Sequence, residues 1–128
     1  VCASFPIEVL TMSEPSTISE PRFHHVGVAA RDPERTIAFY AHLLGARTVA
    51  MHGHVVVVAG SVRIAVVADE PIALPRAHHL ALAFPADAKD VLVARLDELD
   101  AEHEDVRGRI YVRDPDGLVV ELIFEPSS

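Results

Sequence analysis

Two stretches of this sequence share one arrangement. Phe23-His24-His25-Val26-Gly27-Val28 and Ala77-His78-His79-Leu80-Ala81-Leu82 each place a histidine pair at the head of an apolar strand. An aspartate follows seven or eight positions later, and a helical pattern after it. In the first copy Asp32-Pro33 reads as helix cap and first helical residue, Ile37, Tyr40, Leu43 and Leu44 fall on one helical face, and Gly45 closes the helix. In the second, Asp87 takes the capping place, and Val91, Leu92, Leu96 and Leu99 mark the buried face. Strands are predicted at 22–30, 47–51, 55–59 and 62–68, then at 76–84, 104–106, 109–113 and 118–124. The order is βαβββ twice. Within each copy the last three strands are joined by connections too short for a crossover helix, so they form an antiparallel meander.

At 128 residues the chain holds one domain and not two ordinary ones. We read residues 1–21 as a tail or linker and 22–125 as a single domain made of modules at about 22–70 and 76–125. Met12 to Pro21, rich in Ser, Thr, Glu and Pro, suits a linker, and Met12 is a candidate natural start. Val1 to Leu10 lacks the basic region and cleavage site of a signal peptide. Half the residues are hydrophobic, yet no apolar run reaches the roughly 20 residues needed to cross a bilayer, so a soluble protein is expected. A formal charge of -8 turns the chain away from nucleic acid and acidic membranes. The single cysteine, Cys2, has no partner for an internal disulfide, which suits a cytoplasmic location.

Alternation along the strands singles out three side chains. His25, Gly27 and Ala29 share one face, opposite His24, Val26 and Val28; His79, Ala81 and Ala83 share one face, opposite His78, Leu80, Leu82 and Phe84. The large apolar groups should meet the helices, so the second histidine of each pair points the other way, over a floor of Gly and Ala. Glu121 interrupts the last strand, Leu118 to Phe124, and a carboxylate there needs a cation or a proton to offset its desolvation. Two imidazoles and one carboxylate, each from a different strand, point to a metal site. His24 and His78 are the alternative ligands.

At this point the chain resembles the vicinal oxygen chelate superfamily, which includes glyoxalase I, extradiol dioxygenases, fosfomycin-resistance proteins and bleomycin-binding proteins. The residues that carry the resemblance are His25-Val26-Gly27-Val28 with Asp32 and Phe39-Tyr40, then His79-Leu80-Ala81-Leu82, then Tyr111-Val112-Arg113-Asp114-Pro115-Asp116-Gly117 with Glu121. It implies an α+β fold whose curled mixed sheets form a metal-binding cup, with one divalent ion (Fe, Mn, Ni or Zn) held by His25, His79 and Glu121. It also implies a homodimer in which each site takes residues from both subunits, His25 from one and His79 with Glu121 from the other. Two departures narrow the reaction. No fourth ligand stands on Val62 to Ala68, as glyoxalase I would have, and Gly27 stands where fosfomycin-resistance enzymes have Thr.

The expected function is therefore a metal-dependent enzyme for a small substrate that chelates through adjacent oxygens, with dioxygenase, lyase or isomerase chemistry. Glu121 and Tyr111 are the candidate catalytic residues, and Tyr111, Arg109 and His54 the candidate substrate contacts. Arg113 is expected to pair with the turn carboxylates, while Asp114 and Asp116 are expected to build the turn itself. The competing class is a non-catalytic binder that sequesters a small molecule such as a bleomycin-type antibiotic. The run Asp97 to Glu102 reads as a solvated helix end.

Overall fold

The computed structural model describes residues 20–126; most of the proposed tail, Met12 included, lies outside them. The elements are β1 (Val26–Ala30), α1 (Pro33–Leu44), β2 (Arg47–Met51), β3 (His54–Ala59), β4 (Val62–Ala68), β5 (His79–Pro85), a 3-10 turn (Ala86–Ala88), α2 (Lys89–Glu98), β6 (His103–Val106), β7 (Arg109–Arg113) and β8 (Val119–Glu125). They form two four-stranded sheets, ordered β1-β4-β3-β2 and β5-β8-β7-β6. Each sheet opens with a parallel pair and continues antiparallel, because the helix after the first strand carries the chain across while short turns join the rest. This is the expected doubled βαβββ arrangement, and neither sheet closes into a barrel.

Strand ends differ from the reading where pairing runs out. β1 starts at Val26, opposite Ile64, so Arg22 to His25 lie ahead of the sheet. β5 starts at His79, opposite Val119, after a turn in which the His78 amide donates to the Pro75 carbonyl at 2.9 Å. β3 and β6 each begin one residue early, at His54 and His103.

α1 ends as its sequence dictates. Asp32 accepts from the Arg35 amide, Pro33 opens the helix, and Gly45, at φ 59°, returns hydrogen bonds to the carbonyls of Ala41 and His42. The second helix departs from expectation. Asp87 is no cap: it lies inside the 3-10 turn, whose N-cap is Pro85, and α2 starts without a side-chain cap. Leu92 and Leu96 are buried, but Val91 is exposed, because the turn leaves it off the inward face.

One core joins the two halves. Val28, Tyr40, Leu43 and Ile64 from the first pack in a common cluster with Leu82, Leu92, Leu96, Ile110, Val120 and Leu122 from the second. The helix-side faces of both sheets are thus consumed, and the faces bearing Gly27 and Glu121 turn outward. Between β4 and β5 the chain is held at its ends by exposed ion pairs, Arg31 to Glu70 and Arg76 to Glu104. Among the described residues, no helix is long and apolar enough to cross a membrane.

Candidate functional site

Register places the site. Glu121 on β8 lies opposite Ala81 on β5 and Tyr111 on β7, so its side chain shares a face with His79, two residues before Ala81, and with Arg109, two before Tyr111. The outcome is a four-residue cluster around one carboxylate. His79 Nε2 is 2.9 Å from Glu121 Oε1. On the other oxygen, Arg109 donates to Oε2 at 2.7 Å and the Tyr111 hydroxyl donates to it at 3.1 Å. Glu121 is 4% exposed, covered by an Arg109 side chain that is itself half-exposed.

These contacts decide the charge state. Burial on its own pushes the Glu121 carboxyl up, but hydrogen bonds from Arg109 and Tyr111, then the charges of Arg109 and His79, outweigh it and hold the carboxyl below its ordinary value. The same hydrogen bond raises the Arg109 guanidinium above its usual range. The site therefore offers an ionised carboxylate beside an imidazole.

That pair suits a metal. Two cis ligands of one octahedral ion, each about 2.1 Å from it, stand about 3 Å apart, which is the spacing of Nε2 and Oε1. Nitrogen with carboxylate oxygen is the donor set of the middle first-row divalent ions. Within one chain the set is incomplete, since no three of His, Cys, Asp and Glu come together among the described residues. His25 is exposed and its Nδ1 lies 2.8 Å from His24 Nδ1. His54 is on the first sheet, exposed at the start of β3. Neither is brought to Glu121 by its own chain.

Beside Tyr111 opens a cleft of about 750 Å³, bounded by Arg76, Glu104, Arg113, Val119 and, from α1, Phe39. Arg76 lies over the Tyr111 ring, 5.6 Å from its centre, a placement that nothing in the sequence around Arg76 indicates. Arg113 does not pair with a turn carboxylate; it donates to the Gly117 carbonyl at 2.8 Å.

The turn itself does more than reverse the chain. Asp114 is buried, and its Oδ1 accepts from the amides of Asp116 and Leu118, at 2.9 and 3.0 Å. Its Oδ2 accepts from the buried Tyr40 hydroxyl at 2.7 Å. Burial first, then the Asp114 charge, drives the Tyr40 phenol far above its ordinary range. Asp116 accepts from Thr36 at 2.7 Å and from the Arg31 amide at 3.1 Å, and Arg35 donates to the Pro115 carbonyl at 3.0 Å. So the turn that aims β7 and β8, with Tyr111 and Glu121 on them, is anchored on the helix of the other module.

A doubled βαβββ chain with two open mixed sheets and an imidazole-carboxylate pair on a sheet face defines the class of protein. The chain belongs to the Glyoxalase/Bleomycin resistance protein/Dioxygenase superfamily, whose model matches residues 22–122. Among solved structures, fosfomycin resistance protein FosX from Mesorhizobium loti matches with a TM-score of 0.74 at 20% identity, over 84% of this chain and 94% of that one. The oxidase ChaP-H2 matches with a TM-score of 0.69 at 21% identity, over 86% and 98%. A glutamate-to-glutamine mutant of FosX from Listeria monocytogenes, in complex with Mn(II) and 1S,2S-dihydroxypropylphosphonic acid, matches with a TM-score of 0.70 at 19% identity, over 82% and 90%. At such identities these likenesses speak for the fold. No match is found among curated protein sequences.

Proposed function

We propose that this protein is a divalent-metal-dependent enzyme acting on a small substrate that chelates through adjacent oxygens, by dioxygenase, lyase or isomerase chemistry. The observation that carries the reading is the 2.9 Å approach of His79 Nε2 to Glu121 Oε1, a ligand-like spacing on an outward sheet face. His79 and Glu121 would hold the ion, and His25 of the partner subunit would complete the set in a homodimer, since its own chain leaves His25 apart. A bound Fe, Mn, Ni or Zn would supply Lewis acidity to a chelating oxygen. The donor set and the Mn(II) complex of a FosX relative support the choice of a divalent ion.

The chain's own residues set the rest. Arg109 keeps Glu121 ionised, and Tyr111 holds it in place through Oε2. The cleft beside Tyr111 is where the body of a substrate would lie, with Arg76 and Arg113 at its wall. In this state the Tyr111 proton is committed to Glu121, so proton donation to substrate would require Tyr111 to turn from Oε2.

Metal analysis by mass spectrometry on protein purified without chelator tests the reading. About one Fe, Mn, Ni or Zn per chain is expected in the wild type, and neither His79→Ala nor Glu121→Ala should retain it. Metal-free wild type that shows no thermal shift with Mn(II), Ni(II) or Zn(II) would sink the enzyme reading and move attention to a binder of antibiotic type.

A further inference from the structure

The two oxygens of Glu121 are treated differently by their surroundings. Oε1 faces His79 Nε2 at 2.9 Å, while Oε2 accepts the charged Arg109 donor at 2.7 Å and the neutral Tyr111 donor at 3.1 Å. A carboxylate can bind a metal through one oxygen or both, and when it uses both it consumes a further coordination position. We propose that Arg109 is a positioning residue that occupies Oε2 and so restricts Glu121 to one-oxygen ligation, keeping adjacent positions open for a chelating substrate. This rests on the metal reading above and adds to it a reason for an arginine on β7.

The geometry assigns the role to Arg109 ahead of Tyr111. Its contact is shorter and charge-assisted, and such bonds are about twice as strong as neutral ones. Arg109 and Arg113 stand on the same face of the strand, two positions either side of Tyr111, yet only Arg109 reaches the carboxylate; Arg113 is held by Gly117. Arg113 therefore provides an internal control with the same charge, the same strand and no contact with Glu121. The guanidinium of Arg109 is more than half exposed, so its replacement leaves the core intact.

The test counts exchangeable waters on bound Mn(II) by water-proton relaxation, a measurement that needs no substrate. Arg109→Met is expected to lose one water relative to wild type as Oε2 swings onto the ion. Arg109→Lys, which keeps a cationic donor, is expected to restore the wild-type count, and Arg113→Met to leave it unchanged. An unchanged count in Arg109→Met, with Mn(II) bound, overturns this proposal and leaves the metal reading standing. Loss of Mn(II) from Arg109→Met but not from Arg109→Lys also overturns it, since Arg109 would then support affinity instead of limiting ligation. Wild type that binds none of Mn(II), Ni(II) and Zn(II) overturns both.

Discussion

Tyr40 and Asp114 are the residues whose contribution the sequence conceals most. Phe39-Tyr40 reads as helix core and Asp114 as a turn residue, and both readings are correct as far as they go. The 2.7 Å bond between them spans 74 positions, and no local pattern encodes a partner that far away. Its removal leaves a buried carboxylate oxygen without a donor, so Tyr40→Phe should destabilise the protein by about 1–3 kcal/mol, measured by urea unfolding at neutral pH. The phenol is raised in the folded state, so its contribution is fully present below the ordinary value of 10.0 and is lost as pH rises beyond it. The gap between wild type and Tyr40→Phe should accordingly narrow above that pH. Glu121 was legible for the opposite reason: a lone carboxylate in an apolar strand is a local anomaly, and so are the histidine pairs. Arg109 was legible as a neighbour on the strand, but its bond to Oε2 required the β7–β8 register.

At the scale of elements, helix α1 is tied to the second module at both ends. Near its start, Thr36 and Arg35 donate to Asp116 and Pro115; at its end, Arg95 of α2 donates to the Leu43 carbonyl at 3.1 Å, and His42 meets Glu98 at 2.7 Å. A cation at a helix C-terminus also favours the dipole. Gly45 sits within this junction, with φ at 59°, and an added Cβ would meet the Arg95 guanidinium at 3.3 Å. Gly45→Ala is thus expected to cost about 1–2 kcal/mol from the left-handed backbone alone. The loss should be smaller in an Arg95→Ala background, where the crowding is gone but the backbone cost remains; urea titration of wild type, the two single variants and the double variant measures this. Period and capping signals made α1 readable to the residue. The start of α2 was not, because Pro85 with Ala86 to Ala88 makes a 3-10 turn, and an aspartate inside such a turn looks in sequence like an aspartate at a cap.

For the whole molecule, the proposed shared site would divide between the two modules of each chain, His25 on the first and His79 with Glu121 on the second. Mixing chains distinguishes a shared site from a private one. After joint refolding of equal amounts of His25→Ala and Glu121→Ala, half the dimers are mixed and each carries one intact shared set, so bound metal should recover to about a quarter of wild type. A site built within one chain would recover none. The duplicated architecture was readable because strand-helix order is a local property repeated twice. The face that carries His79 was readable from strand alternation, but the place of His25 ahead of the sheet was not, since it follows from where β1 begins to pair with β4.

The loop from Asp69 to His78 gains a meaning from this. It is the sole covalent join between two modules that are already bound through a common core, a buried turn and both ends of one helix. Its own links are two exposed ion pairs, which add little, the Asp69 amide bond to the Ala30 carbonyl and the placement of Arg76 over the Tyr111 ring. Continuity of the polypeptide therefore acts here as a tether that sets local concentration, and the information for mating the halves resides in the surfaces that meet; two fragments cut in that loop are expected to reassociate through complementary faces, which co-elution on size exclusion after mixing would check.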